Sequence, residues 1–582
     1  LSVFAVAVVL ASFMLGLSFG NWFIGRISDR TKNHFKLLSI ILGVLGIYCF
    51  LFHLIFMLLY NNLNDIFAFI SPSSDIKNII RFLLSFVVLL PPTTLLGGVF
   101  PVLLKIYTNN IAEIGKNSGF ISFISTVGGV IGSFLTGFIL IKSLGHKNTI
   151  FIIGTINVLA AIFVFYLSRY YMILKEKSKI SSKKESIEYP SHIVYITLVA
   201  FFVSGFTALS YELIWTKILT FFIRDSIYDF SIVLTTFLIG LAFGNFIGGK
   251  VFGKRGNPVF IFAFVQILIG IFAILSLYLF GKFPYIINNL ATLSSFYDRY
   301  QENYFLYATA VKFGYSFLLM FIPAGLFGIT LPVAIRICSH KLENLGKDVG
   351  FISAIESLGS TIGPIVTGFL LIGLLGFQNS TILLCLMNVS VGIALIVVYK
   401  FKKPIRKVYT ILPVIIIMVL LFIFLPGWDK VIMSKPIKTE FLSEAHSRIT
   451  LHMYEENQNG ITSVLEDDQE NVKYLVTNRL YSQNTSIMGG LQDHRRLGYI
   501  PSLLHNNPDS ALVIGLGAGI TLDGVEDTGI QNIDCVEISE SVIEAAKFFS
   551  KENNNIINNP DINFIVDDGR NFVSTTNKKY DV

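Results

Sequence analysis

VLASFMLGLSFGN, Val9 to Asn21, returns in the second half of the chain as VLTTFLIGLAFGN, Val233 to Asn245. A longer correspondence follows: Pro101, Gly115, Gly119, Phe120, Gly128, Gly132, Thr136, Gly137, Phe138 and Gly145 recur in order as Pro332, Gly346, Gly350, Phe351, Gly359, Gly363, Thr367, Gly368, Phe369 and Gly376. Small residues let apolar helices approach closely. Their shared spacing points to a duplicated helical unit.

The residues around these matches are too apolar for an ordinary soluble enzyme. Of 582 residues 53% are hydrophobic and 14% charged, with a mean hydropathy of +0.66. A membrane-spanning helix needs about 20 mostly apolar residues. Such segments fall near 1–23, 37–60, 82–104, 118–142, 149–171, 192–223, 228–250, 258–280, 306–335, 349–374, 379–400 and 408–426. Runs this long, without alternation, predict helices and exclude a barrel. Residues 192–400 hold six predicted helices and residues 1–171 five, so one more helix is expected before Leu1. Duplicated six-helix halves are similar in plan to major facilitator transporters. Leu1 opens directly into an apolar run, and Tyr580-Asp581-Val582 reads as the start of a buried strand, so both ends are expected to be cut.

Charge divides the chain in two. From Trp428 onward acids outnumber bases by about ten, whereas the preceding residues are basic by about seventeen. Within the apolar part, Lys and Arg gather in alternate loops, at Arg26, Arg30, Lys32 and Lys36; Lys105 and Lys116; Lys175 to Lys184; Lys250, Lys254 and Arg255; Arg336, Lys341 and Lys347; and Lys400 to Lys407. Those sides are expected to be cytoplasmic. The count then delivers the residues after Ile411 to Leu425 to the outer face of the cell membrane, unless that segment is re-entrant. Cys49, Cys338, Cys385 and Cys535 have no metal-ligand spacing, so neither zinc nor disulfides are expected.

Ionisable residues inside apolar helices are costly and mark functional candidates. Glu212 in ALSYELIWTK and Glu356 in FISAIESLG lead, followed by His53 and Lys312. Glu212, flanked by Tyr211 and Trp215, reads equally as an interfacial residue of an aromatic belt. Asp29 in GRISDR reads either as a solvated loop carboxylate or as part of a loop resembling the gating loop of major facilitator transporters.

After Trp428 the periodicity changes. ITLHMYEE, GITSVLED and VKYLVTN alternate as short strands. ALVIGLGAGITLDGV then reads as a buried strand, a turn with Gly515, Gly517 and Gly519, and a helix start. Glu537 closes a second strand, IDCVEIS, and INFIVDDG forms a third ending at Asp567 and Asp568. Glycines that let backbone approach a nucleoside, with an acid about 20 residues later for ribose hydroxyls, are the signature of a doubly wound nucleotide site. The expected organisation is an incomplete first transmembrane half (1–171), a basic linker (172–191), a second half (192–400), a basic segment with an extra helix (401–426), a small β subdomain (427–508) and a Rossmann-like domain (509–582).

VIGLGAGIT, VEISESVIEAAK and VDDGRNF resemble the S-adenosylmethionine-type methyltransferase fold in the version used by spermidine synthases. LVTNRLYSQ through DHRRLGYIPSLLH resembles the region preceding the glycine turn in that family. SGFTALSYELIWTKIL with DFSIVLTTFLIGLAFGN resembles the membrane half of fused major facilitator and spermidine synthase proteins. The resemblance implies that Gly515, Gly517, Gly519 and Glu537 hold the ribose and aminopropyl or methionine part of decarboxylated S-adenosylmethionine or S-adenosylmethionine. It implies that Asp568 binds the adenine amino group, that Asp567 also belongs to the cofactor site, and that Gln483 and His494 lie near the amine acceptor. The implied reaction is attack by an unprotonated amine on the methylene carbon beside a sulfonium, with the catalytic Asp expected beyond Val582. Three positions depart from the family. Its Asp-Gly-x-x-Gln element stands here as Asn478-Arg479-Leu480-Tyr481-Ser482, with Gln483 one place late. Arg495 stands where an acid is expected, and the Asp-rich catalytic segment is not within the sequence.

The leading expectation is therefore a membrane-bound aminopropyltransferase acting on a polyamine. A methyltransferase on the same fold and a polyamine or nucleoside transporter or sensor with a degenerate synthase domain are the alternatives. Expected partners are the lipid bilayer and a small amine, whose positive charge suits the acidic soluble part. Nucleic acid is not among them, and a homo-oligomer is left open.

Overall fold

The computed structural model describes residues 3–70, 74–175, 189–223, 227–292, 304–399, 405–425, 427–435, 448–485 and 490–582. Most of the expected linker 172–191, and Lys400, Lys402 and Lys403, lie outside these residues. The apolar part folds into α1 (Val3–Arg30), α2 (His34–Ile70), α3 (Ser74–Tyr107), α4 (Ile114–Leu135), α5 (Ile141–Lys175) and α6 (Ser191–Ile223). It continues with α7 (Ile227–Ile247), α8 (Pro258–Thr292), α9 (Tyr304–Cys338), α10 (Leu345–Val366), α11 (Ile372–Val398) and α12 (Ile405–Ile423). Among the described residues, nine helical runs are long and apolar enough to cross a bilayer. Backbone groups in lipid must be satisfied within the segment, which such helices do. The chain is a multi-pass membrane protein.

The duplication is visible in backbone detail. α4 runs into a π-turn at Thr136–Leu140 and α10 into another at Thr367–Leu371. Each continues into a helix broken at a glycine, Gly145 (φ +72°) or Gly376 (φ +74°), a backbone region open to glycine and costly for other residues. The two helices carrying the first repeat, α1 and α7, each pack on the helix carrying the second repeat of the opposite half, α10 and α4. Gly119, Gly346 and Gly350 of the repeat sit at these crossings. Gly25 meets the backbone of Gly346 and Gly350, while Gly249 meets Gly119 and Lys116. The duplication is the one implied by the resemblance to major facilitator transporters; the cross-pairing is seen only in the structure.

Backbone-on-backbone contact leaves no room for a methyl group. A Cβ on Gly350 would lie 2.2 Å from the Asn21 carbonyl oxygen, whereas one on Gly128 would meet nothing within 4 Å. Gly350→Ala is expected to lower the melting temperature of the detergent-solubilised protein, since overpacking costs about 1–3 kcal/mol. Gly128→Ala should leave it unchanged or raise it through helix propensity, worth about 1 kcal/mol. Equal melting temperatures would contradict the crossing.

Beyond α12, Asp429 caps the short helix α13 (Lys430–Ser434) through the Val431 and Ile432 amides. An antiparallel sheet follows, in the order β1 (Ile449–Asn457), β2 (Gly460–Asp467), β3 (Val472–Thr477), β4 (Leu480–Asn484). Asn478 and Arg479, both at positive φ, form the two-residue turn between β3 and β4, the geometry that matches strand twist. Next come α14 (Leu491–Leu504), β5 (Ser510–Ile514), α15 (Ile520–Glu526), β6 (Asn532–Glu537), α16 (Glu540–Ala546), β7 (Ile562–Val566) and α17 (Gly569–Thr575). β5, β6 and β7 form a parallel sheet in that order. On the other edge of β5, Asp581 and Val582 bond to Ser510 and Leu512 through backbone groups. β5 is thereby flanked on both sides, and the chain reverses its direction of strand addition there. In open α/β sheets the ligand crevice lies at such a switch point.

The soluble part rests on one end of the bundle. The Trp428 indole donates to the Leu277 carbonyl (3.2 Å), and the Phe377 amide donates to the Glu456 carboxylate (2.6 Å). Gly376 and Phe377 lie a full membrane-length helix away from Leu345, so this end is opposite the one where Arg26, Lys105, Lys254, Arg336 and Lys347 cluster.

Candidate nucleoside-binding site

The carboxyl ends of β5 and β6 open onto a cavity of about 380 Å³, lined by Asn459, Ile461, Thr462, Thr477, Asn478, Gln483, Gly515, Gly517, Glu537, Ile538, Ser539 and Val542. That is a volume suited to a small organic ligand. Gly515 (φ +86°), Gly517 (φ +57°) and Gly519 (φ +82°) carry the chain from β5 into α15 through conformations that favour glycine. A Cβ on Gly515 would meet nothing within 4 Å, so bare backbone faces open space there. Glu537, 6% exposed, accepts hydrogen bonds from the Leu516 amide (2.9 Å) and the Ser539 amide (3.1 Å). The buried acid therefore shapes the glycine turn as well as lining the cavity. Hydrogen bonds to a charged group are worth about 1.5–3 kcal/mol.

Gln483 reaches the same turn, with its side-chain oxygen accepting the Ala518 amide. Strand register explains how it gets there. Val476 pairs with Tyr481 but Leu475 pairs with Gln483, so Ser482 is an extra residue in a bulge of β4. The one-place delay of the motif is absorbed by that bulge. Asn478, in the position of the family's Asp, is spent on structure. Its side chain accepts from the Ile461 amide and donates to the Asn459 carbonyl, holding the β1–β2 hairpin. Burial pulls the neighbouring Arg479 guanidinium down to about 10, and its Nε donates to the Lys435 carbonyl (2.8 Å).

The remaining expected residues fall at varying distances from the cavity. Asp567 follows β7, its amide bonded to the Glu537 carbonyl and its carboxylate accepting the Asp568 amide. The Asp568 carboxylate caps α17 through the Asn571 amide (3.1 Å). Both stand at the carboxyl edge of the sheet beside the exposed Ile514 and Val566, without lining the cavity itself. His494 lies half-buried on α14, also outside the lining, and burial pushes its imidazole below the usual value. Arg495 turns inward to Asp523, a fully buried carboxylate, at 2.5 and 2.8 Å. Sequence reasoning missed Asn459, Thr462 and Ser539, which line the cavity from the β1–β2 hairpin and the start of α16. Nothing but polarity in turns marked them.

In the membrane part, Asp29 is not a solvated loop residue. Its carboxylate accepts from the amides of Gly346 (3.0 Å) and Lys347 (2.7 Å) at the start of α10 and from Lys105 Nζ (2.6 Å). Lys105 also donates to the Leu342 and Glu343 carbonyls, so the two halves are tied at the basic end. Glu212 is 6% exposed and follows Tyr211, whose ring stacks on Trp215. Glu356 lies on α10 where that helix touches Gly205 of α6. The structure does not bring Asp29, Glu212 and Glu356 into one cluster with the soluble cavity. Among the described residues no group of three or more His, Cys, Asp or Glu could hold a metal ion.

Comparison with known proteins identifies the soluble part. Residues 491–582 match the family described as the spermine/spermidine synthase domain. The polyamine aminopropyltransferase of Methanocaldococcus jannaschii is 40% identical over 90 residues, covering 15% of this chain and 31% of that protein. The chain thus spans about a third of that relative's length. Polyamine aminopropyltransferase 2 of Aquifex aeolicus is 22% identical over 394 residues, 65% of this chain and 69% of its own. That alignment is longer than the whole soluble part, so the likeness runs into the membrane helices. Among solved structures, the Escherichia coli fucose:proton symporter FucP aligns with 69% of this chain at 12% identity and a TM-score of 0.35. The chain is a fusion in which a multi-pass bundle of duplicated halves carries, at residues 491–582, a member of the spermine/spermidine synthase domain family.

Proposed function

We propose that the soluble part binds decarboxylated S-adenosylmethionine and transfers its aminopropyl group to a polyamine at the membrane surface. The observation that carries this reading is the cavity at the ends of β5 and β6, where Gly515 and Gly517 expose backbone and Glu537 and Gln483 fix the turn. In the reaction, the lone pair of a neutral amine nitrogen forms a bond to the methylene carbon beside the sulfonium. The carbon–sulfur bond breaks, its electrons stay on sulfur to give methylthioadenosine, and the new ammonium loses a proton. Sulfonium is already a good leaving state, so the protein's task is alignment and proton removal. The glycine turn, set by Glu537 and Gln483, orients the nucleoside.

The test is product analysis with the purified full chain in nanodiscs, given a diamine and either sulfonium. Methylthioadenosine from the decarboxylated compound supports aminopropyl transfer. S-adenosylhomocysteine from S-adenosylmethionine supports instead the methyltransferase reading, which gains weight from Arg495 being committed to Asp523 where a diamine-binding acid is expected. Binding of either nucleoside without turnover favours a sensor.

We further propose that the soluble part faces the outside of the cell; what supports this is that it rests on the end of the bundle opposite the basic loops. A cysteine introduced at Gln469, on the exposed β2–β3 turn, should react in intact cells with a membrane-impermeant maleimide. Reaction only after permeabilisation would put the domain in the cytoplasm.

A further inference from the structure

The β1–β2 hairpin has two ends of different use. At its tip and at the start of β2, Asn459, Ile461 and Thr462 line the cavity. The tip is fastened to the parallel-sheet domain, with the Asn459 amide group donating to the Ile538 carbonyl (2.8 Å) and the Asn457 amide group to Ser539 (3.2 Å) and Ser541 (2.9 Å). A few residues back on β1, Glu456 accepts the Phe377 amide at 2.6 Å, and Tyr454 donates to the other Glu456 oxygen at 2.7 Å. Tyr454 packs against the bundle core, and Lys430 lies over its ring. One short, doubly hydrogen-bonded hairpin therefore joins the helix break of the second transmembrane half to the wall of the cavity.

The duplication provides an internal comparison. Gly145 and Gly376 are repeat counterparts with nearly equal φ. Thr149 and Ser380, also counterparts, donate alike to the Gly145 and Gly376 carbonyls. Yet a Cβ on Gly145 would meet nothing within 4 Å, whereas one on Gly376 would lie 2.5 Å from the Glu456 carboxylate. The break exists in both halves, so the carboxylate is not needed to form it. What the second half has in addition is a charge from the soluble part on the first amide of a long helix, an arrangement favoured by the helix dipole.

We propose that the bundle regulates the nucleoside cavity through this hairpin, with Glu456 as the positioning residue that transmits movement between the Gly376 break and Asn459, Ile461 and Thr462. The inference rests on the cavity being a nucleoside site. A change in tilt between α10 and the helix after Gly376 moves the Phe377 amide, and the hairpin moves with it. By linkage, a ligand that fixes the cavity wall restrains the break in return.

The experiment uses the full chain in nanodiscs, with methylthioadenosine as probe and hydrogen exchange read at residues 377–381 and 457–462. Glu456→Ala is expected to weaken methylthioadenosine binding about fivefold and to speed exchange in both segments, with Glu456→Gln, which keeps an acceptor oxygen, restoring both. Methylthioadenosine should slow exchange at 377–381 in the parent protein and not in Glu456→Ala. Tyr454→Phe removes one hydrogen bond and gives a smaller shift in the same direction, covering the case in which Glu456→Ala does not fold. Faster exchange confined to 377–381, with affinity unchanged, would reduce Glu456 to a local helix cap and overturn the proposal. If the parent protein binds no methylthioadenosine, the nucleoside reading fails separately. The coupling is then judged by whether Glu456→Ala still speeds exchange at 457–462, and unchanged exchange there overturns it.

Discussion

Gly517→Ala should reduce methylthioadenosine affinity by at least about tenfold while the bundle stays folded. Two costs coincide at this position. The backbone holds φ at +57°, which charges a residue with a Cβ about 1–2 kcal/mol. The new methyl group would also stand 2.8 Å from the Gln483 side chain, displacing the group that holds the Ala518 amide. Gly529→Ala supplies the comparison, because Gly529 has φ +85° and a Cβ there would meet nothing within 4 Å. It should cost stability of the same order and leave affinity alone. Adding Gln483→Ala to Gly517→Ala relieves the contact but not the backbone cost, so affinity should recover only in part. Equal binding by Gly517→Ala and the parent, measured by titration calorimetry, would remove the glycine turn from the site.

The second large effect is one of stability. Arg495→Ala should destabilise the parallel-sheet domain by about 3 kcal/mol near neutral pH, the cost of leaving a buried charge without its partner. Asp523 has no exposed surface, and among the described residues its carboxylate keeps, beyond Arg495, the Asn554 side chain (2.9 Å). Burial already raises the Asp523 carboxyl above its ordinary value against the pull of Arg495. A raised carboxyl means the folded state binds the proton more readily, so this contribution favours folding at low pH and is lost as pH rises through the folded value. Without Arg495 the carboxyl rises further. The penalty of Arg495→Ala should therefore shrink as pH falls from 8 towards 5, when read by urea-dependent proteolysis of residues 510–582. Arg495→Ala combined with Asp523→Asn should recover much of the loss, and a pH-independent penalty would contradict the pairing.

Legibility differed between the two parts for physical reasons. In lipid, helices need long apolar runs and their close crossings need small residues, so the helical class and the duplication stood out in the sequence. Which helices cross was not legible, because Gly25 and Gly346 are far apart in sequence and carry no mark of each other. In the soluble part, glycines at positive φ and an acid at a strand end obey local rules, and Gly515, Gly517 and Glu537 indeed line the cavity. Gln483 was legible as a residue but not in its reach, because an extra residue in β4 is a matter of pairing with β3. Asp29 admitted two readings until its partners at Gly346 and Lys347, from the other half of the chain, were placed. Glu456 gave no signal at all. An acid on an alternating strand looks like a solvated face, and the amide it accepts belongs to a membrane helix.

The cross-pairing of α1 with α10 and of α4 with α7 bears on how the protein is made. As the chain leaves the ribosome, α1 enters the bilayer with the surface meant for α10 bare, and hundreds of residues must be translated before that partner exists. The glycine-lined grooves of the early helices are meanwhile covered by acyl chains, which the late helices must displace. Assembly thus ends in one closing event, and a chain interrupted before α10 leaves α1 facing lipid along the surface meant for a helix that never arrives.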